Sequence, residues 1–265
     1  MSTKPVLGSF LWYELMTKDP AGSLAFYPNV TGWGVSTMPS PAGDGTDYSM
    51  FAIRGTPFAG CMLLPAEAQS MGAPSHWLGY VGTTDVDATV AQAAALGATV
   101  YKAGMDIPHI GRIAVLADPQ GASFALFRPE SGTTDNMGGD GNPQGGVAWH
   151  ELMTTDIAAA WDFYAALFGW TIFEDMDMGE HGMYRMFGSG EAPIGGIMIR
   201  PPQVTVCLWS HYVNVLDLEG AIDAAKQGGG VLAHGPVAVP GGDRIAQLVD
   251  PQGALFCLHT KDAQA

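Results

Sequence analysis

The stretch WYELMTKD, Trp12 to Asp19, is written a second time as WHELMTTD, Trp149 to Asp156. Six of the eight letters agree at a spacing of 137 residues. The correspondence continues outward. Phe26-Tyr27 and Gly32-Trp33 match Phe163-Tyr164 and Gly169-Trp170 at the same spacing. Tyr48-Ser-Met-Phe51 matches Tyr184-Arg-Met-Phe187, and Gly60-Cys-Met62 matches Gly196-Ile-Met198, both at 136. Trp77, Tyr80-Val81, Asp85 and Asp118-Pro-Gln-Gly-Ala122 recur at 132 as Trp209, Tyr212-Val213, Asp217 and Asp250-Pro-Gln-Gly-Ala254. A spacing that drifts by a few residues records small loop deletions within two homologous halves. Residues 1–128 and 147–262 are read as the two domains. The glycine-rich, aperiodic segment 129–146 between them is read as a linker.

Each half carries one rhythm twice. VAWHELMT alternates like a strand. Thr155 or Asp156 can cap a helix whose apolar stripe is Ile157, Trp161, Tyr164 and Phe168, and Gly169 ends it. Three short strands follow, near 170–173, 184–187 and 196–199. The pattern restarts with LWSHYVNVL, a helix capped by Asp217, and strands near 231–239, 244–249 and 254–259. The first half repeats the plan with helices near 19–27 and 85–96. Pro28 lacks an N–H and is expected to shorten or kink the first of these.

Composition bounds the function. The chain has 265 residues, 47% hydrophobic and 14% charged, so it can bury two real cores. Its formal charge of −15 repels polyanions, which argues against nucleic acid and acidic membrane surfaces as partners. No apolar run spans a bilayer, and the N-terminus is a poor secretion signal. Cys61, Cys207 and Cys257, an odd number at unrelated spacings, suggest reduced thiols and a cytoplasmic location. Nucleophile-elbow, P-loop and dinucleotide fingerprints are missing.

A strand, a helix opening D-x-x-x-A-x-x-F-Y, a G-W step and D-P-x-G before the last strand resemble the vicinal oxygen chelate superfamily, which includes glyoxalase I, extradiol dioxygenases and bleomycin-binding proteins. The motifs are Asp156 to Tyr164, Gly169-Trp170 and Asp250 to Gly253, with their first-half counterparts, and the resemblance covers nearly all of both halves. It implies an α+β fold of two tandem glyoxalase-like domains, each a pair of βαβββ modules forming a half-open eight-stranded barrel. The halves can then pack about an internal pseudo-twofold, in a monomer or a dimer.

The resemblance also implies metal ligands on the first, fourth, fifth and eighth strands. Those positions fall on Trp12 and Trp149, on Gly60 to Leu64 and Gly196 to Ile199, on Leu78 and Ser210, and on Ala125 and Cys257. The usual ligand set is thus missing, and neither a metal nor a cofactor is expected. A shift of one residue in this alignment would bring in His150 or His211.

Period-two alternation puts Glu151 on one strand face with Trp149 and Met153, and Glu14 on one face with Trp12 and Met16. Burial among such neighbours favours the neutral acid, which suits a general acid or base or an anchor for a ligand donor. Glu14 and Glu151 are the candidate catalytic residues; Trp12, Trp149, Tyr80 and Tyr212 are the candidate ligand-binding residues. In the structural alternative each glutamate simply bonds a neighbouring strand or a tyrosine such as Tyr80 or Tyr212. His150 and His211 are expected on an outer face or helix edge, and His259 in solvent. Two function classes follow: a metal-independent small-molecule binder, or a glyoxalase-type lyase or isomerase moving a proton through the glutamates. Sequence alone leaves open whether the chain is an enzyme.

Overall fold

In the computed structural model, residues 7–40, 45–130 and 144–261 are described. Most of the linker segment 129–146 lies outside them. The first half runs β1 (Phe10–Thr17), α1 (Pro20–Thr31), β2 (Gly34–Pro39), β3 (Asp47–Ile53), β4 (Thr56–Leu63), a short α2 (Ala66–Ser70), β5 (His76–Gly82), α3 (Val86–Ala95), β6 (Thr99–Ile107), β7 (Gly111–Ala117) and β8 (Ser123–Pro129). The second half runs β9 (Val147–Thr154), α4 (Ile157–Phe168), β10 (Thr171–Asp177), β11 (Met183–Gly188), β12 (Gly195–Ile199), β13 (Leu208–Asn214), α5 (Leu218–Gln227), β14 (Val231–Ala238), β15 (Arg244–Val249) and β16 (Leu255–Thr260). Strand order is β2-β3-β4-β1-β5-β8-β7-β6 in one eight-stranded sheet and β10-β11-β12-β9-β13-β16-β15-β14 in the other. Each half therefore has its own open sheet of eight strands and its βαβββ repeat, as the sequence implied. Among the described residues no helix is long and apolar enough to cross a membrane.

The helices start where the aspartates stand. Asp19, Asp85, Asp156 and Asp217 each accept a hydrogen bond from a backbone N–H in the first turn, at 2.9–3.1 Å, which satisfies one otherwise orphaned donor. Gly32 and Gly169 end α1 and α4 in the left-handed conformation that glycine adopts without strain. Pro28 does not cut α1 short: the helix continues through it to Thr31. Side chains serve the turn around the proline, with the Asn29 amide donating to the Ala25 carbonyl and the Thr31 hydroxyl to the Tyr27 carbonyl, both at 2.8 Å.

Packing divides the chain differently from sequence. One compact unit gathers residues 7–12, 78–130 and 149–209; the other gathers 13–77, 144–148 and 210–261. Each draws one βαβββ module from each half. The reason lies in the repeated motifs. In the second unit the Trp77 indole donates to the Tyr27 hydroxyl, which donates to Asp250, each at 2.9 Å. The other oxygen of Asp250 accepts from the backbone of Gln252 and Ala254. In the first unit Trp209 donates to Tyr164 at 2.9 Å and Tyr164 to Asp118 at 3.0 Å, with Gln120 and Ala122 completing the set. The F-Y pair on one helix thus binds the D-P-Q-G turn of the other half. Burial, then the facing carboxylate, holds both phenols protonated far above their usual range.

Aromatic rings fill the space around these links. Phe256 packs edge-on against Phe26 and Tyr27, and its counterpart Phe124 against Phe163 and Tyr164. Removing such a ring from water stabilises the fold by about 1.5–3 kcal/mol. The core left around Tyr13, Tyr27, Trp33, Trp77 and His211 holds a void of only about 20 Å³, space for roughly one water.

Candidate functional site

On the opposite face of β1, Glu14 stands beside Gly60 of β4 in parallel register. Glu151 of β9 stands beside Gly196 of β12 in the same way. Both carboxylates are buried, with 4% and 6% of their surface exposed, inside sheets and away from any helix end. Each accepts a hydrogen bond from a tyrosine two strands away: Tyr48 donates to Glu14 at 2.8 Å, and Tyr184 to Glu151 at 3.1 Å. Such charge-assisted bonds are the stronger kind.

Glycine makes this geometry possible. A Cβ on Gly60 would collide with the Tyr48 hydroxyl and the Glu14 carboxylate, and one on Gly196 with the Tyr184 ring. The tyrosine lies flat over the gap the glycine leaves, so Glu, Gly and Tyr form one constellation on three adjacent strands. It is built twice. In the second copy the Trp149 indole also donates to the Tyr184 hydroxyl, at 2.7 Å, fixing its proton toward Glu151. Burial, then the charge of Glu151, holds Tyr184 protonated well above the usual phenol range. Trp12 and Trp149 are both half-buried, but Trp12 makes no corresponding bond to Tyr48 among the described residues.

Tyr212, fully buried, accepts from Gln247 at 2.8 Å, and Tyr80 lies buried in register with Ala125. Tyr48 and Tyr184, not singled out from sequence, donate to the glutamates. The repeat displayed them at matching positions, but they stand 34 and 33 residues from the glutamates they bond, and no local pattern shows that contact.

For His150 and His211 the outer-face expectation fails, and for His259 the solvent one. His150 and His211 are buried rather than on an outer surface. His150 stacks on Phe10 with ring centres 3.8 Å apart, and His211 meets the edge of Tyr13 at 5.0 Å. Both faces of β9 and β13 are covered, so alternation did not identify a solvent side. Burial pushes His211 down to about 3. His259 is likewise buried; its ring nitrogens lie 2.6 Å from Asn214 Oδ1 and 2.9 Å from Asp243 Oδ2.

The family metal does not fit the residues present. Leu78 and Ala125 have no donor atom, and both are wholly enclosed. Ser210 and Cys257 stand at the second-half positions, and Cys257 is fully buried. Among the described residues no three His, Cys, Asp or Glu side chains are grouped to hold a metal ion.

Residues 12–127 match the glyoxalase-like domain, and residues 146–258 match the glyoxalase/bleomycin resistance protein/dioxygenase superfamily. The chain belongs to this vicinal oxygen chelate superfamily, with two domains in tandem. It is 34% identical over 246 residues to "Putative glyoxylase CFP32" of Mycobacterium tuberculosis, covering 92% of each chain. It is 31% identical over 267 residues to the anthracycline biosynthesis protein DnrV of Streptomyces peucetius, covering 94% of this chain and 92% of that one. Among solved structures, the Mn(II)-bound glyoxalase from Novosphingobium aromaticivorans matches with a TM-score of 0.62 at 16% identity, over 96% of this chain and 82% of that one. The 2,2',3-trihydroxybiphenyl 1,2-dioxygenase from Sphingomonas wittichii matches with a TM-score of 0.65 at 12% identity, over 96% and 91%. At such identities the structural likeness establishes the fold alone.

Proposed function

We propose that this chain is a small-molecule-binding member of the superfamily that works without the family's metal. A ligand is taken at the Glu14–Tyr48 pair and another at the Glu151–Tyr184 pair. The observation that carries the reading is the tyrosine-capped, buried carboxylate built on glycine and present in both halves. A buried charge costs several kcal/mol unless it is bonded, and the tyrosine supplies such a bond in each half. A ligand amine or hydroxyl competes with the tyrosine for the same oxygen. Trp12 and Trp149, half-buried on the same strand faces, provide apolar contact. Cys61, Cys207 and Cys257, all buried and in no disulfide, accord with a reducing, cytoplasmic setting.

The second reading is a glyoxalase-type lyase or isomerase in which the glutamate takes a proton from the substrate and returns it to a neighbouring atom of the same substrate, with the phenol holding the carboxylate in place. It is favoured by the short Glu–Tyr contacts and by the relative named as a glyoxylase. Two experiments separate the readings. Elemental analysis of the purified chain is expected to find no stoichiometric Zn, Ni, Mn or Fe, and chelator is expected to leave thermal stability unchanged. About one chelatable metal per domain, with loss of stability on its removal, overturns metal independence. Turnover of a 2-oxoaldehyde–thiol adduct that disappears in the E14Q/E151Q double variant establishes the enzyme.

A further inference from the structure

Methionine is concentrated around the two Glu–Tyr pairs. Met16 follows Glu14 by two residues on the same face of β1, and Met62 of β4 is its register partner. Met50 of β3 is in register with Gly60. The second copy repeats all three: Met153 pairs with Met198, and Met186 with Gly196. In-register neighbours point to the same side of a sheet, so each Glu–Tyr pair is ringed by three thioethers. The outer strands add one more each, Met38 beside Tyr48 and Met176 beside Tyr184. Eight of the chain's 14 methionines therefore lie on these two faces. The helix-facing side of the same strands is instead filled by Leu15, Phe51, Leu152 and Phe187, all without exposure. Shape alone does not require methionine on one side and leucine or phenylalanine on the other.

Building on the binder reading, we infer that each face takes a flat aromatic ligand that carries a hydroxyl or amino donor. The donor bonds to Glu14 or Glu151, and the ring lies against the thioethers and the neighbouring tryptophan. Sulfur is polarizable and makes favourable contacts with aromatic rings, while the unbranched side chain adapts to the ring's outline. One such contact strengthens binding by roughly two- to tenfold. Met62, Met186 and Met198 are half-buried, as are Tyr48, Tyr184, Trp12 and Trp149, so each constellation presents part of its thioether and aromatic surface to solvent.

The test uses the full chain with 13C-labelled methionine methyl groups. Two probes are titrated: 2-naphthol, and decahydro-2-naphthol, which has the same hydroxyl and a similar outline but no aromatic ring. The inference predicts that 2-naphthol moves the Met62, Met186 and Met198 methyl signals by ring current and leaves Met71, which is 69% exposed and elsewhere, in place. Met62→Leu and Met198→Leu, which keep volume, weaken 2-naphthol several-fold and leave decahydro-2-naphthol nearly unchanged. Equal affinity for the two probes, absence of ring-current shifts, or no binding of 2-naphthol overturns the inference. Equal affinity that Glu→Gln abolishes for both probes defeats the aromatic class and leaves the binder reading standing. The binder reading fails separately, on a chelatable stoichiometric metal.

Discussion

Glu14 and Glu151 each accept a tyrosine hydroxyl that lies over a glycine, where a side chain would collide with it. Replacing Tyr48 or Tyr184 with Phe removes the donor from a buried carboxylate, and we predict a loss of about 1–3 kcal/mol in urea unfolding. Glu14→Gln and Glu151→Gln keep the shape and an acceptor for the tyrosine. They should change stability by less than about 1 kcal/mol, yet weaken ligand binding at their own face by at least about tenfold, read by titration calorimetry. Variants that bind like the parent would make the glutamates structural. At this scale the sequence was informative about the acids and their faces and uninformative about their partners. The alternation in WYELM and WHELM isolates the glutamate, but Tyr48 reaches it only through the β1–β4–β3 ladder. The same limit applies to His211. Alternation distinguishes two faces, but not which is wet when both are covered. The His211 imidazole stays neutral in the folded chain down to about 3, because burial disfavours its charge. Above pH 6.5 neither state binds that proton, and the burial is without penalty. Between 6.5 and about 3 only the unfolded chain binds it, so stability falls with decreasing pH by about 1.4 kcal/mol per unit from this group. Comparing urea unfolding free energies at pH 7.5 and 4.5, the parent should lose roughly 2.7 kcal/mol more than His211→Gln. Equal losses would contradict this assignment.

At the scale of elements, strands and helices were legible because their signals are local. Asp caps, Gly stops and period-two alternation place the helices and strands of both halves close to where they stand. Pro28 was misleading for a physical reason: one lost hydrogen bond is tolerated where Asn29 and Thr31 serve neighbouring carbonyls and Phe26, Tyr27 and Val30 are buried around it. Two kinds of link join elements, and each makes a prediction. Gly60→Ala and Gly196→Ala push a Cβ into the tyrosine and displace the Glu–Tyr bond. We expect a loss of about 1–3 kcal/mol from the overpacked site, together with ligand binding. An alanine variant that binds normally would show that the tyrosine's position over glycine is incidental. Tyr27→Phe and Tyr164→Phe each leave a buried aspartate, Asp250 or Asp118, without its phenol donor. Each should cost about 1–3 kcal/mol by urea unfolding without affecting ligand affinity. These motif residues carry the family resemblance and serve the packing.

At the scale of the whole molecule, the duplication was visible in sequence and the compact units were not. The 137-residue echo divides the chain into halves, and the sheets follow that division. Packing recombines the halves, because the F-Y of one binds the D-P-Q-G of the other, and no spacing along the chain announces such a pairing. Duplication also predicts a stoichiometry. Two constellations of the same residues imply two sites per chain, one of them marked by the bond from Trp149 to Tyr184. The central claim, binding at both Glu–Tyr pairs without metal, is tested most directly by calorimetric titration of the chelator-treated chain with 2-naphthol. The account predicts two binding equivalents, one lost in Glu14→Gln, the other in Glu151→Gln and both in the double variant. Binding that appears only when Zn, Ni, Mn or Fe is restored, or that survives both substitutions, would contradict it.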